Sequence, residues 1–183
     1  MARLVGIYNQ RNFLFSGDED DLVVGGNEID FMTGGGGNDR MFGRGGNDFM
    51  NGGDGNDYLN GGSGDDQMFG GAGNDIFVGG SGSDIMQGED GEDRFYMGDG
   101  DFAKGGADAD TFIWRLRADE TINISDFSIE EGDVMRLSGA SRYDWETVEA
   151  GNYTTVAFSN GAEVNFYGVS AEEIEANAGL FGL

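Results

Sequence analysis

The sequence predicts an all-β fold: a right-handed parallel β-roll, which is a β-helix solenoid, followed by a C-terminal β-rich cap with one or two short helices. Two observations predict it. A nine-residue period runs without a gap from Ser16 to Tyr96, and glycine makes up 36 of the 183 residues while proline is absent. Short periods of this kind are typical of solenoids, in which each repeat packs only on its neighbours. We expect the roll to occupy residues 1–113 and the cap residues 114–183, because the glycine period stops after Ile113.

Each of the nine consecutive repeat units has an aspartate at its sixth position, which we call the slot, and an apolar residue at its eighth. Upstream, the frame continues from Ile7 to Phe15 with Asn12 in the slot. Downstream, it continues through an eight-residue unit, 97–104, and a last nine-residue unit, 105–113. The slot aspartates are Asp21, Asp30, Asp39, Asp48, Asp57, Asp66, Asp75, Asp84, Asp93, Asp101 and Asp110.

The glycines at positions one, two and four predict a turn of six residues, and the last three residues of each unit predict a short strand. Side chains alternate along a strand, so the eighth residue points inward and the seventh and ninth point outward. Two units complete one coil, which brings residues 18 apart into register about 4.8 Å apart along the axis. The outward positions hold Leu22, Val24, Phe31, Phe42, Phe49, Tyr58, Phe69, Ile76, Val78 and Tyr96.

Charge and composition exclude several classes of function. The net charge is −25, which argues against nucleic-acid binding and direct membrane insertion. Cysteine and histidine are both absent, so thiolate metal sites and the usual zinc sites are excluded. The glycine-rich turns lack the GxxxxGK[ST] motif of a phosphate loop. The apolar stretch from Leu4 to Ile7 is too short for a signal-peptide core, so we expect no cleaved N-terminal signal.

The stacked slot aspartates predict cation binding. Unit charges about 4.8 Å apart repel by roughly 3 to 4 kcal/mol per neighbouring pair at an effective dielectric of about 20. Calcium relieves this repulsion because it takes six to eight hard oxygens, and glycine turns expose their carbonyl groups. A soft-metal site built from Met32, Met50, Met68 and Met86 is the less favoured alternative to simple core packing by these residues.

The repeats match the pattern GGxGxDxUx and resemble the repeats-in-toxin (RTX) calcium-binding family. The resemblance implies one calcium ion between same-side turns of successive coils. One such site would use Gly35, Gly37 and Asp39 with Gly52, Asp54 and Asp57, and its neighbour Arg44, Gly46 and Asp48 with Gly61, Ser63 and Asp66. The turn residues implied as calcium ligands or as parts of the ligand loops, beside the slot aspartates, are Gly34, Gly35, Gly36, Gly37, Gly43, Arg44, Gly45, Gly46, Gly52, Gly53, Asp54, Gly55, Gly61, Gly62, Ser63, Gly64, Gly70, Gly71, Ala72, Gly73, Gly79, Gly80, Ser81, Gly82, Gly88 and Asp90.

The slot aspartates form two columns, which allow nine interleaved calcium sites at most. The ends are expected to bind less well, because Glu19, Glu28 and Asp108 replace the fourth-position glycine there. About six or seven well-formed sites follow from this count and from the ligand requirement of the ion.

The last seventy residues predict the cap. Strand-like runs occur at 121–124, 134–137, 153–158 and 164–167, with a hairpin loop at 160–162. Ser170 with Glu173 predicts a capped helix, and Ser141 with Asp144 predicts a second, weaker one. The segment ISDFSIEEGDVMRLSG, 124–139, resembles the region that follows RTX repeats in secreted serralysin-type proteases. That resemblance implies an uncleaved C-terminal signal for type I secretion, although the final NAGLFGL lacks the acidic and aliphatic ending of many such proteins.

Together these observations predict a secreted, extracellular calcium-binding module that folds on binding several calcium ions and is exported by the signal-peptide-independent type I secretion machinery. The alternative is an accessory module of an extracellular enzyme or adhesin, in which the outward aromatic face binds a polysaccharide or a protein partner. Almost every acidic residue already has a turn or calcium role, so we expect no enzymatic activity and no catalytic residues.

Overall fold

The computed structural model describes residues 3–7, 9–140, 143–181 and 183. The chain forms eighteen strands and one short helix within those ranges. Their bounds are β1 Arg3–Val5, β2 Phe13–Phe15, β3 Leu22–Val24, β4 Phe31–Gly36, β5 Arg40–Gly45, β6 Phe49–Asp54, β7 Tyr58–Ser63, β8 Gln67–Ala72, β9 Ile76–Ser81, β10 Ile85–Asp90, β11 Arg94–Met97, β12 Phe102–Ala107, β13 Thr111–Arg115, β14 Thr121–Ile124, β15 Val134–Ser138, β16 Trp145–Ala150, β17 Tyr153–Phe158, β18 Glu163–Tyr167 and α1 Ala171–Ala176.

The strands alternate between two sheets, as expected when two units complete one coil. The odd-numbered strands from β1 to β15 form an eight-stranded sheet, and the even-numbered strands from β2 to β14 lie next to one another in a ten-stranded sheet. From β2 to β11, neighbouring parallel strands pair residues 18 apart, as in Met32 with Met50 and Leu59 with Phe77. The predicted parallel β-solenoid is therefore confirmed.

The strands of the roll are longer than predicted. Most have six residues, because the parallel pairing continues from positions seven to nine into positions one to three of the next unit. Gly35, for example, pairs with Gly53 although its φ is +105°. A Cβ at Gly53 would overlap the carbonyl oxygen of Gly35, so glycine at position two lets neighbouring coils approach closely. The turn proper is confined to positions four to six.

The core consists of two inner columns built from the eighth positions, as predicted. One column stacks Met32, Met50, Met68 and Met86, all at most 1% exposed. The opposite column includes Phe77, Phe95 and Phe112, whose rings stack with centroids 4.8 and 5.0 Å apart. Flexible methionine on one side and stacked rings on the other fill this narrow interior.

The outward positions are mostly half-buried, and Tyr96 is 44% exposed. Val24 departs from the expectation, because it is buried at 7% exposure.

The cap extends the ten-stranded sheet beyond β14. Strand β18 pairs with β14 in parallel, and β17 and β16 follow as antiparallel strands. The predicted hairpin is confirmed: Val156 pairs with Val164, and the backbone N–H of Phe158 donates to the carbonyl oxygen of Ala162 at 2.9 Å.

One of the two predicted helices is confirmed. Helix α1 begins after Ser170, whose side chain and that of Glu173 form the expected capping box. The second predicted helix is wrong, because β16 occupies 145–150 and pairs along its whole length with β17. The local helix-capping signal at Asp144 is overridden by the pairing of β16 with β17. Ser141 lies outside the described residues. Helix α1 has six residues, and no described helix has the length and hydropathy of a membrane span.

Candidate metal sites of the roll

The slot aspartates lie in two buried columns, one on each edge of the roll. All eleven are at most 4% exposed. In each column, Oδ1 of one slot aspartate accepts the backbone N–H of the slot residue one coil earlier, as Asp57 does from Asp39 at 2.7 Å and Asp66 from Asp48 at 2.7 Å. The structure thus brings together the residues that the spacing singled out.

Both columns extend beyond the predicted members. Asp133 continues one column, because its Oδ1 accepts the N–H of Asp110 at 2.8 Å. Asn12 begins the other and donates its side-chain amide to Oδ1 of Asp30 at 2.7 Å. Asp126 accepts the N–H groups of Gly105 and Gly106 at 2.8 and 3.1 Å. Sequence reasoning missed Asp133 and Asp126 because they follow the end of the period, 23 and 16 residues after Asp110.

The hydrogen bonding of the second carboxylate oxygen, Oδ2, differs between the interior of the columns and their ends. At the four end positions, Oδ2 accepts a backbone N–H: Asp21 from Gly17 at 3.4 Å, Asp30 from Gly26 at 2.5 Å, Asp101 from Gly98 at 2.7 Å and Asp133 from Ser128 at 2.8 Å. In eight slot aspartates, Oδ2 is buried and has no hydrogen-bond partner. These are Asp39, Asp48, Asp57, Asp66, Asp75, Asp84, Asp93 and Asp110.

Burial makes the charged form of these carboxyl groups costly. Desolvation, partly offset by the backbone hydrogen bond and reinforced by neighbouring carboxylates, raises the pKa of Asp57 to about 6, of Asp75 to about 7 and of Asp93 to about 8. The same cause raises the pKa of Asp48, Asp66 and Asp110 to about 7. Folded without a counter-cation, the columns therefore favour protons on these oxygens near neutral pH.

Six of the eight unpartnered oxygens converge with a backbone carbonyl. A Cβ at Gly34 would overlap both Oδ2 of Asp39 and the carbonyl oxygen of Gly52, so both acceptors face one small space. The same overlap recurs at Gly43, Gly52, Gly61, Gly70 and Gly88. Two acceptors that share a buried space without a donor between them fit a cation.

The eight-residue unit changes this arrangement at one place. At Gly79, a Cβ would lie 2.6 Å from Oδ2 of Asp84 and 2.7 Å from Oδ2 of Asp101. Two carboxylates converge there instead of a carboxylate and a carbonyl, because the spacing between these slots is 17 residues rather than 18.

The other carbonyls implied as ligands lie between successive turns. Those of Gly35 and Gly37, at positions two and four, face Gly53 and Gly55 of the next coil. Third-position carbonyls already accept one backbone hydrogen bond, as Ala72 does from Gly55 at 2.7 Å. Each keeps a second lone pair for a cation.

Side chains alone do not make a metal centre here. The described part of the chain contains no group of three or more aspartate, glutamate, histidine or cysteine side chains that could hold a metal ion. A cation between two coils would therefore take most of its oxygens from the backbone, which suits calcium with its six to eight ligands.

A second, exposed ladder runs along the turns at position five and was missed in the sequence. Oδ1 of Asn38 accepts the N–H of Asn56 at 2.8 Å, and Oδ1 of Asn56 accepts that of Asn74 at 2.7 Å. These bonds point along the axis in the opposite sense to those of the slot aspartates. The recurrence of Asn or Asp immediately before the slot aspartate was the available signal.

Comparisons with known proteins agree with the repeat pattern. The model of the RTX calcium-binding nonapeptide repeat (4 copies) matches residues 15–50, 43–77 and 69–101. A search of curated proteins found no match. Among solved structures, the chain is similar to the extracellular lipase LipA from Serratia marcescens, at 14% identity and a TM-score of 0.28, over 97% of this chain and 40% of the lipase. That similarity is too low to support a conclusion about function.

The family match covers ten of the eleven buried slot aspartates, from Asp21 to Asp101. Residues 15–101 carry RTX calcium-binding nonapeptide repeats.

Proposed function

We propose that the chain is the calcium-dependent folding module of a secreted protein. It binds about six or seven calcium ions, nine at most, between same-side turns of successive coils. It is exported unfolded by the type I secretion machinery and folds outside the cell. The chain acts as a binding and structural module, and we assign no catalytic residue to it.

The observation that carries this proposal is the set of eight buried, unpartnered Oδ2 atoms in the two columns. A buried acceptor without a partner costs about 1–3 kcal/mol, and more when it is charged. Eight such atoms in one small protein are difficult to reconcile with stable folding at neutral pH unless cations lie between the coils. The convergence of six of these oxygens with first-position carbonyls supports this reasoning.

Charge supports the same conclusion. Nine calcium ions would add eighteen positive charges and change the net charge from −25 to −7. Without cations, the mutual repulsion of the acidic turns opposes compaction. At ten to a hundred times its dissociation constant, each ion contributes about 1.4–2.7 kcal/mol, so six or seven ions give roughly 10–20 kcal/mol. This is comparable to the whole stability of an ordinary domain.

The ligand set that we propose follows from the RTX resemblance. One ion would take the carbonyl oxygens of Gly35, Gly37, Gly52 and Asp54 with the carboxylates of Asp39 and Asp57. The close approach of Gly52 to Asp39 supports the shared use of both coils. Asp133, at the end of its column, extends the series to the junction with the cap.

Calcium-dependent folding is tested by circular dichroism of the full chain in chelator and at rising free calcium. We expect a cooperative change from coil to β-structure, with magnesium as the matched control. Magnesium demands an octahedral shell and dehydrates reluctantly, so it should not substitute at equal concentration. A chain that is fully folded at neutral pH in chelator would refute the proposal.

A second candidate function is that of an accessory polysaccharide- or partner-binding module of an extracellular enzyme or adhesin. It is favoured by outward side chains such as Tyr96, which is 44% exposed, and by the stacked pair Phe13 and Phe31, whose ring centroids are 5.1 Å apart.

A further inference from the structure

The outer faces of the two sheets contain no acidic residue at the seventh and ninth positions of the repeats, although the chain carries 35 acidic residues. The acidic residues of the roll lie instead in the turns and at the strand ends that lead into them. The roll therefore has strongly acidic edges, and the strands of its eight-stranded sheet contain no acidic residue.

The outer face of the eight-stranded sheet is also basic. Four exposed arginines point outward from strands of this sheet. They are Arg40 on β5, Arg94 on β11, Arg115 on β13 and Arg136 on β15. Within the described ranges, none of these four arginines forms an ion pair; the ion pair seen there joins Arg117 and Glu120 at 3.6 Å. The basic groups of this face are thus available to a ligand.

Aromatic and amide side chains lie between these arginines. The guanidinium carbon of Arg40 lies 5.7 Å from the ring centroid of Tyr58 and 5.9 Å from that of Phe42. Asn60 pairs with Phe42 across adjacent strands, and Tyr96 is exposed on β11. Arginine, tyrosine and asparagine side chains supply charge-assisted hydrogen bonds and flat surfaces for stacking.

The shape of this face fits a long, thin ligand. The face is a parallel sheet whose strands succeed one another about 4.8 Å apart, so Arg40 and Arg94 are about 14 Å apart along the axis. A globular acidic partner would also lie over the acidic turns on both edges and be repelled by them. A single extended polyanion parallel to the axis keeps its charges over the arginines and away from the edges.

We propose that the outer face of the eight-stranded sheet binds a linear acidic polysaccharide along the solenoid axis. Arg94 and Arg136 hold its carboxylate or sulfate groups, and Tyr58 and Tyr96 pack against its sugar rings. The inference rests on the proposed function, because only the calcium-loaded roll presents this face and has most of its acidic charge neutralised.

The test is isothermal titration calorimetry of the calcium-loaded full chain with a hyaluronan decasaccharide, both dialysed against the same free calcium. The variant Arg94→Gln/Arg136→Gln should weaken binding about tenfold, since each exposed charge pair contributes modestly. The matched control Arg11→Gln/Lys104→Gln removes two positive charges elsewhere on the exposed surface and should change the affinity less than about twofold.

Three results would overturn the proposal: no heat for the wild-type chain with hyaluronan, equal weakening by both double variants, or equally tight binding of polyglutamate of the same charge. The last result would indicate a general attraction to acidic chains, including protein segments. Circular dichroism of the same samples separates failure of the roll to fold, which would count against the proposed function, from failure of this face to bind.

Discussion

Oδ1 of Asp57 accepts the backbone N–H of Asp39 at 2.7 Å, across 18 residues of sequence, while Oδ2 of the same carboxylate is buried without a partner. One oxygen therefore fixes the register of two coils, and the other is available to a cation. Because both oxygens belong to one side chain, we expect coil stacking and cation binding to be coupled in this protein.

The variant Asp57→Asn tests the role of the unpartnered oxygen. The amide keeps one acceptor for the N–H of Asp39 but places a donor where a cation would lie. We expect loss of one or two bound calcium ions and a destabilisation of about 1.4–2.7 kcal/mol per lost ion at saturating calcium. Equilibrium dialysis and thermal unfolding measure the two effects. The exposed Asp119→Asn should change neither, and an unchanged ion count in Asp57→Asn would contradict the assignment.

The raised carboxyl pKa values predict opposite pH dependences with and without calcium. The pKa of these groups rises from 3.8 to about 6–8 in the folded state. Protons therefore stabilise the metal-free roll below pH 4, and this stabilisation is lost as the pH rises through about 6 to 8. In chelator, circular dichroism should show more β-structure at pH 4.5 than at pH 8.

With calcium present, protons compete with the ion for the same oxygens, so the half-saturating calcium concentration should rise as the pH falls from 8 to 6. Fluorescence of the buried Trp114 follows this titration. A half-saturating concentration that is independent of pH would show that the slot carboxylates are not the groups that bind the ion.

Glycine at the first position of a unit predicts a strict steric requirement. In Gly52→Ala the added methyl group would overlap Oδ2 of Asp57 and the carbonyl oxygen of Gly70. We expect weaker calcium binding and a stability loss of about 1–3 kcal/mol, as for other overpacked sites. Gly17→Ala is the matched control, because a Cβ there has no neighbour within 4 Å. Equal calcium titrations for the two variants would refute the steric argument.

The ladder at position five should stabilise the roll without binding calcium. Asn56→Ala removes the acceptor of the Asn74 N–H and should cost about 0.5–1.5 kcal/mol. The number of bound ions should stay that of the wild type, unlike in Asp57→Asn. Unfolding at saturating calcium, together with equilibrium dialysis, distinguishes the two ladders. A loss of ions in Asn56→Ala would show that position five also takes part in binding.

The period carried most of the information about the fold. Asp at position six and an apolar residue at position eight were sufficient to predict the two columns, the inner faces and the coil of two units, because stacking repeats every 18 residues. The spacing does not reveal where a strand ends, so pairing through Gly35 and Gly53 was missed. In a sequence, glycine indicates a turn, but here it allows neighbouring parallel strands to approach closely.

Beyond the period, local signals were less reliable. The capping box of Ser170 and Glu173 was correct because both of its hydrogen bonds lie within the first turn of α1. Trp145–Ala150 was assigned to the wrong element because its partner, β17, is a tertiary neighbour that capping rules do not consider. Asp133 lies outside any period, and only the course of the chain after β13 brings it beneath Asp110.

The four end carboxylates, Asp21, Asp30, Asp101 and Asp133, have a consequence for the size of the assembly. Their second oxygens accept N–H groups of their own loops. A polymer of identical coils has no inherent length, since each added coil offers the same binding surface to the next. Here the loops at the column ends occupy these oxygens themselves, so we expect the sequence to limit how many coils, and therefore how many calcium ions, the stack contains.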